Sequence, residues 1–157
     1  MIFITGPASA GKTSLIKLLK EHLPKEKFDI HDIDEADKWT DDYVAWRDSK
    51  VEFWLKQSIK NRKKGIETIL CGIIYPDAAS KSPSYAAAQP VKFILLNTDA
   101  EELKQRFYQR MEGRINRQIE IGNELKAEVK SIDGAEIVET TSMTPELIMG
   151  NVIKKLS

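Results

Sequence analysis

The fold of this chain is decided near its N-terminus by the stretch Gly6-Pro7-Ala8-Ser9-Ala10-Gly11-Lys12-Thr13. This stretch fits the pattern G-x-x-x-x-G-K-[ST], in which a glycine-rich turn offers backbone N–H groups to phosphate. An apolar run at 2–4 precedes it and a helix-like run at 14–20 follows it. A strand, a loop and a helix in this order direct several N–H groups at one point. We therefore expect nucleotide binding here; the alternative is a chance match on a glycine turn.

Each residue type in the loop suits a chemical task. Gly6 and Gly11 permit backbone angles that are closed to other residues. Lys12 can reach the β- and γ-phosphates, and the Thr13 hydroxyl can ligate Mg²⁺. The predicted nucleotide-binding residues are those of the loop and the start of the helix: Gly6, Ala8, Ser9, Ala10, Gly11, Lys12, Thr13 and Ser14.

Length and composition indicate one domain. The chain has 157 residues, 31% of them charged, and a formal net charge of zero, so no overall charge attracts it to nucleic acid or an acidic membrane. Its single cysteine, Cys71, excludes an internal disulfide and fits a reducing compartment. The apolar stretch before Gly6 is too short for a signal sequence or a membrane span. We expect a cytoplasmic protein without nucleic-acid or membrane partners, and its oligomeric state stays open.

Strand-like and helix-like runs alternate along the chain. Apolar strand-like runs occur at 2–5, 28–33, 67–74, 91–96 and 135–138, and helical stretches at 13–23, 41–64, 100–112, 116–131 and 145–156. Residues 76–90, rich in Ala, Ser and Pro, are expected to be irregular. Such alternation predicts a parallel sheet covered on both faces, with ligands beyond the carboxyl ends of its strands.

These residues resemble the small P-loop kinases of the shikimate kinase, gluconate kinase and nucleoside monophosphate kinase type. The resemblance runs over 1–156 and is carried by the phosphate loop, Asp32-Ile33-Asp34, an arginine-bearing helix and the ending 136–146. It implies a three-layer α/β/α fold with a five-stranded parallel sheet in a single domain 1–157. It also implies ATP and Mg²⁺ as cofactors and a small-molecule acceptor. A substrate-covering helical segment near 36–64 and a short lid near 112–118 would complete the domain.

Two carboxylates follow the second predicted strand. On an extended chain Asp32 and Asp34 point the same way, so they can share a cation or divide into a Mg²⁺ ligand and a general base. The resemblance implies that Asp32 helps Thr13 to hold Mg²⁺ and that Asp34 faces the acceptor hydroxyl. The alternative is a solvated acidic turn that caps a helix before Ala36.

Four arginines recur at spacings of four, four and three: Arg106, Arg110, Arg114 and Arg117. They form one helical stripe if the helix continues that far, although Gly113 favours a break. The resemblance places Arg106 against the adenine and Arg110 or Arg114 on the transferred phosphate. The alternative is a solvated face whose partners are Glu101, Glu102 and Glu112, which explains Arg117 well.

The segment 39–54 is unusually aromatic. Its aromatic side chains recur at helical spacing, which is typical of core packing. The resemblance also puts the acceptor here, which makes Trp46 and Arg47 candidate substrate-binding residues, since a guanidinium can bind a carboxylate or phosphate through two hydrogen bonds. The alternative for Arg47 is a surface ion pair within a charged stretch that contains Asp48, Lys50 and Glu52.

The sequence also departs from these kinases. Cys71 stands before Gly72, where nucleoside monophosphate kinases often carry an acidic residue, and the glycine triplet of shikimate kinases is absent there. Two other functions therefore stay open beside transfer to a small molecule. One is a nucleoside or nucleoside monophosphate kinase, and the other is a nucleotide-binding switch or ATPase without a small-molecule acceptor.

Overall fold

The computed structural model describes residues 1–35, 41–110 and 114–157, except for the side chains of residues 109 and 110. The strands are β1 (Ile2–Thr5), β2 (Phe28–Asp32), β3 (Glu67–Gly72), β4 (Lys92–Asn97) and β5 (Glu136–Glu139). The helices are α1 (Lys12–His22), α2 (Tyr43–Arg62), α3 (Pro76–Ser80), α4 (Ala100–Arg110), α5 (Ile115–Lys130) and α6 (Pro145–Ile153).

The described strands form one five-stranded sheet in the order β2-β3-β1-β4-β5. Every pairing is parallel, and β1 lies between β3 and β4, with Ile4 opposite both Cys71 and Ile94. The predicted α/β class and the five-stranded parallel sheet are confirmed. Parallel strands all end at the same edge, so the segments after β1, β2 and β3 meet there.

Side chains of the central strands alternate between two cores. Ile2 and Ile4 pack with residues of α1 and α6, whereas Phe3 packs with residues of α2 and α5. Alternation with period two sends neighbouring side chains to opposite faces of a sheet. The two clusters therefore lie on the two faces of the sheet, each between the sheet and one outer layer of helices, which makes three layers. Burying one such apolar side chain contributes about 1.5–3 kcal/mol, which makes the sheet a firm base for the loops at its edge.

The helix ends follow from local hydrogen bonding. The Asp42 carboxylate accepts a hydrogen bond from the Ala45 N–H at 3.0 Å and caps α2, which therefore begins at Tyr43, two residues after the predicted start. The segment 76–90 was expected to be irregular, and this is wrong in part because α3 occupies Pro76–Ser80. Proline suits the first turn of a helix, where its missing N–H has no intrahelical acceptor. None of the described helices is long and apolar enough to cross a membrane.

Gly72, the last residue of β3, is pressed against the connection that follows β2. A Cβ atom at this position would lie 2.5 Å from Ile33 Cγ2, well inside contact distance. The Ile33 N–H donates to the Cys71 carbonyl at 2.9 Å, and the Ile33 side chain is buried. This packing fixes Ile33 on the sheet and so fixes the positions of its neighbours Asp32 and Asp34.

We predict that Gly72→Ala lowers the free energy of unfolding by about 1–3 kcal/mol, because the added methyl group overpacks the contact with Ile33. Urea denaturation measures the change. Gly150→Ala is the matched control: nothing lies within 4 Å of a Cβ there, so it should stabilise the protein by about 0.4–1 kcal/mol. Ile33→Ala removes the clashing atoms, and the double variant should lose less stability than the two single losses added together. Wild-type stability in Gly72→Ala would contradict this account.

Candidate active site

The loop between β1 and α1 closes around the ammonium group of Lys12. Lys12 Nζ donates to the Gly6 carbonyl at 2.7 Å and to the Pro7 carbonyl at 2.6 Å, and the Ala10 N–H donates to the same Pro7 carbonyl at 3.3 Å. Two loop residues have left-handed backbones, Ser9 at φ 63° and Gly11 at φ 98°. The tight bend brings the loop back over the start of α1.

The N-terminus of α1 supplies positive electrostatic potential to this bend. Lys12, Thr13 and Ser14 form its first turn, whose N–H groups have no acceptor within the helix. That turn contains no acidic residue, so nothing in it opposes the favourable interaction of the helix dipole with an anion. Loop and helix end together are suited to bind phosphate oxygens.

Two cavities meet at the loop. The larger, of about 370 Å³, lies towards α4 and α6 and is lined in part by Leu15, Arg106, Met143 and Ile148. The smaller, of about 190 Å³, lies towards the ends of β2 and β3 and is lined in part by Lys12, Thr13, Asp32, Asp34 and Tyr43. Both cavities share Ser9, Gly11 and Ser14, so a molecule in one is next to a molecule in the other.

Arg106 ties three segments together beside the larger cavity. Its guanidinium donates to the Ser9 carbonyl and the Thr140 carbonyl, both at 3.1 Å, and it forms an ion pair with Glu102 one turn earlier on α4. The Ser142 N–H donates to the other oxygen of the Glu102 carboxylate. These bonds lie in the guanidinium plane and fix its orientation, while the flat faces of the group stay suited to stacking on a ring.

Asp32 is the last residue of β2, and Asp34 lies in the turn that follows it rather than on an extended strand. β2 ends at Asp32, whose Oδ1 accepts the Asp34 N–H at 3.0 Å, and the Glu35 N–H donates to the Asp32 carbonyl at 3.1 Å. The expectation of an extended chain through Asp34 is therefore wrong. Both residues nevertheless line the smaller cavity with Lys12.

The surroundings of Asp34 favour its protonated form. Partial burial in the cavity and the nearby Asp32 carboxylate raise the pKa of Asp34, and the Lys12 ammonium opposes them. Burial and the Asp34 and Asp32 carboxylates likewise raise the pKa of the Tyr43 hydroxyl, against the opposing effect of Arg47. A carboxylate with a raised pKa is a better proton acceptor, which suits a general base.

Comparison with known proteins shows which fold this is. No protein-family model matches the sequence, and a search of curated proteins finds no match. Among solved structures, an unliganded sugar kinase from Janibacter sp. HTCC2649 is 16% identical, with a TM-score of 0.63 over 99% of this chain and 92% of the other. Shikimate kinase from Aquifex aeolicus vf5 is 14% identical, with a TM-score of 0.64 over 99% and 94%. Thymidylate kinase from Candida albicans is 13% identical, with a TM-score of 0.63 over 98% and 88%.

The chain has the P-loop kinase fold. The resemblance drawn from the sequence is confirmed at this level, and the coverage extends over nearly the whole chain. Within this fold, the phosphate loop and both cavities lie at the carboxyl ends of the strands, where ligands bind in open α/β sheets.

The oxygen atoms of the smaller cavity fit a magnesium ion. Thr13 and Asp32 both line it and offer a hydroxyl and a carboxylate, the hard ligands that Mg²⁺ prefers. Within the described ranges, no group of three or more His, Cys, Asp or Glu residues could hold a metal. Mg²⁺ in phosphoryl-transfer sites is commonly bound by one or two protein groups together with phosphate oxygens and water, so this sparse set is adequate.

The structure separates the two acceptor candidates on α2. Trp46 belongs to the buried core, where it stacks on Tyr43 with ring centroids 5.7 Å apart. Arg47 is only 7% exposed, although a surface position was one alternative for it. Its guanidinium bonds to the Asp48 carboxylate at 3.0 Å and lies 5.2 Å from the centre of the Tyr75 ring. Trp46 thus packs against Tyr43, which lines the smaller cavity, and Arg47 is a buried cation near Tyr43.

The arginine stripe is interrupted. α4 ends at Arg110 and α5 begins after Arg114, which has a left-handed backbone at φ 74°, so the four arginines lie on two helices and do not form one continuous stripe. The Arg110 side chain and residues 111–113, which include the start of the predicted lid near 112–118, lie outside the described residues, and Arg114 is exposed. Arg117 pairs with Glu120 and Glu124 on α5, as a solvated face requires.

Sequence reasoning did not place three residues at the site. Tyr43 was visible only as one member of the aromatic segment, and Glu102 only as a possible partner of the arginines. Gln118, whose side chain accepts the Ala8 N–H at 2.8 Å, gave no signal because the two residues are 110 positions apart.

We predict that Asp34→Asn stabilises the protein at neutral pH, by about 1–2 °C in the midpoint of thermal unfolding. The raised pKa means that ionising Asp34 is harder in the folded state than in the unfolded chain. The ionised Asp34 carboxylate therefore lowers the stability of the protein at pH values above the pKa of Asp34 in the folded state. This effect disappears at pH values below the ordinary pKa of 3.8. Thermal unfolding from pH 3 to pH 8 should show the difference growing as pH rises. Asp133→Asn, on the exposed turn after α5, serves as the control. A lower midpoint for Asp34→Asn at pH 7 would contradict the prediction.

Proposed function

We propose that this protein is a kinase that uses ATP and Mg²⁺ to phosphorylate a small-molecule acceptor. The observation that supports this most is the meeting of two cavities at the phosphate loop. The larger cavity is lined by Arg106, whose guanidinium orientation is fixed by hydrogen bonds. The smaller cavity is lined by the carboxylates of Asp32 and Asp34 together with Lys12. A phosphoryl donor and an acceptor need such adjoining sites, because phosphoryl transfer depends mainly on positioning and charge stabilisation.

On the donor side, the adenine occupies the larger cavity against Arg106. The amides of the first turn of α1 and the Lys12 ammonium bind the β- and γ-phosphate oxygens, and Thr13 with Asp32 holds Mg²⁺. When bound, Mg²⁺ neutralises charge that develops on those oxygens. Arg110 and Arg114 remain our candidates for closing over the transferred group, in keeping with the proposed lid near 112–118.

On the acceptor side, a hydroxyl of the acceptor lies against Asp34 in the smaller cavity. Its oxygen forms the new bond to the γ-phosphorus as the bond to the ADP oxygen breaks, and Asp34 takes the hydroxyl proton. The raised pKa of Asp34 suits it to receive that proton. Tyr43 lines the same cavity, and Arg47, which does not line it, is close enough to Tyr43 to influence the ionisation of its hydroxyl. Both residues are therefore our candidates for selecting the acceptor.

A nucleoside or nucleoside monophosphate acceptor is a second candidate. Two observations favour it: Tyr43 presents an aromatic ring at the smaller cavity, and thymidylate kinase is among the similar structures. A nucleotide-binding switch had support from the missing carboxylate at Cys71. That side chain is fully buried in the core beneath α1, so a catalytic carboxylate is not expected at this position.

The proposal is tested by a panel of hydroxyl-bearing metabolites, nucleosides and nucleoside monophosphates with Mg·ATP. ADP release is measured together with phosphorylated product by mass spectrometry. We expect one chemical class to give product, and that class identifies the acceptor. ATP binding without product from any class would favour the switch, and no ATP binding would refute the proposal.

Lys12→Ala should abolish transfer and weaken Mg·ATP binding by about 1.5–3 kcal/mol, because it removes a charge-assisted contact to phosphate. Isothermal titration calorimetry measures the affinity. Circular dichroism should show an unchanged fold, because Lys12 contacts the loop and belongs to neither hydrophobic core. Lys17→Ala, on the exposed side of the same helix, is the matched control. Retention of activity in Lys12→Ala would exclude the kinase mechanism.

Arg47→Lys should raise the KM for the acceptor found in the panel, by about tenfold if a carboxylate or phosphate is bound through two hydrogen bonds. The dissociation constant for ATP should not change, because Arg47 lies near Tyr43 of the smaller cavity and does not line the larger one. Steady-state kinetics with each substrate varied separates the two effects. An unchanged acceptor KM would mean that Arg47 serves only to pack α2 against Tyr75.

A further inference from the structure

One peptide unit of the phosphate loop is held from both sides. The carbonyl of Pro7 accepts the Lys12 ammonium at 2.6 Å, and the N–H of Ala8 donates to Gln118 Oε1 at 2.8 Å. These two groups belong to the same trans peptide, in which the C=O and N–H bonds point in opposite directions. Gln118 and Lys12 therefore fix a single peptide plane between them.

Helix α5 contacts the loop at Pro7 and Ala8. Gly122, one turn after Gln118, faces Pro7, and a Cβ at Gly122 would lie 3.5 Å from Pro7 Cγ. Residues four apart share one face of a helix, so Gln118 and Gly122 form a single contact surface for the Pro7–Ala8 segment. Gln118 is absent from the lining of both cavities. It thus contacts the loop without reaching the nucleotide site.

We propose that Gln118 is a positioning residue for Lys12. Gln118 accepts a hydrogen bond from the Ala8 N–H and so keeps the Pro7 carbonyl directed towards the Lys12 ammonium group. This carbonyl in turn sets the position of the ammonium group in the proposed phosphate site. This inference rests on the proposed nucleotide binding at the loop, but not on the identity of the acceptor.

The physical reason is the balance of hydrogen bonds around this peptide. Proline at position 7 has no N–H, so Ala8 supplies the first N–H group after Gly6 in the loop. Without Gln118 this partly buried N–H loses its acceptor, and the peptide can rotate to find water. Rotation of the N–H turns the Pro7 carbonyl away from Lys12, because the peptide moves as a rigid plane.

The experiment measures binding of three probes, Mg·ATP, tripolyphosphate and adenosine, to the full-length wild-type protein and to Gln118→Ala. Gln118→Glu keeps an acceptor oxygen on a side chain of the same length, and Lys130→Ala is the control at an exposed position on the same helix, outside the proposed lid. Hydrogen exchange of the Ala8 amide is followed by NMR in each protein. Thermal unfolding reports any general loss of stability.

We expect Gln118→Ala to bind Mg·ATP and tripolyphosphate about threefold to tenfold more weakly, with adenosine binding unchanged. Its Ala8 amide should exchange faster, and Gln118→Glu should restore the slow exchange. Lys130→Ala should match the wild type in every measurement. The split between polyphosphate and adenosine separates positioning of Lys12 from a general loss of structure.

Other outcomes overturn the inference. Unchanged tripolyphosphate binding in Gln118→Ala would show that the peptide holds its position without Gln118. Tighter binding would show that Gln118 competes with phosphate for the Ala8 N–H. Equal weakening for adenosine and tripolyphosphate would assign Gln118 to general stability. If the wild type binds neither Mg·ATP nor tripolyphosphate, the proposed function fails together with this inference; if it binds both, only the role of Gln118 is decided.

Discussion

The burial of β1 is the constraint on which the site depends. β1 pairs with β3 on one side and β4 on the other, and both of its faces are covered by core residues. The chain must therefore leave the sheet abruptly after Thr5. At Gly6 a Cβ would lie 2.9 Å from the Leu96 carbonyl oxygen, so only glycine allows the backbone to pass β4 so closely. The loop to which we assign phosphate binding follows directly from this exit.

The sheet and the phosphate loop could be predicted from the sequence because their signals are local. An apolar run, a glycine motif and a helical run stand next to each other, and neighbouring residues decide each of them. α3 was missed because the Pro, Ala and Ser residues of 76–90 are typical of irregular chain as well as of a short helix. The bonds from Arg106 to Thr140 and from Gln118 to Ala8 could not be predicted, since tertiary packing alone brings those residues together.

The acidic pair shows how a correct grouping can follow from an inexact argument. Period-two alternation predicted that Asp32 and Asp34 share a direction, yet the Asp32 carboxylate accepts the Asp34 N–H and turns the chain. Short acidic side chains often compete with secondary structure in this way. Both residues still line one cavity because Ile33 between them is buried against Gly72. The missing side chain at Gly72 therefore decides the placement of the carboxylates more than the strand does.

The phosphate loop is held by two helices that do not belong to its own strand–helix unit. Arg106 of α4 binds the Ser9 carbonyl, and Gln118 of α5 binds the Ala8 N–H, so adjacent loop residues are bonded to different helices. Arg106 also lines the cavity that we assign to the adenine. A base that changes the position of Arg106 therefore changes the bond to Ser9 as well. The proposed base site and the proposed phosphate site are thus connected through Arg106 of α4, while α5 bonds to the neighbouring peptide that we propose orients Lys12.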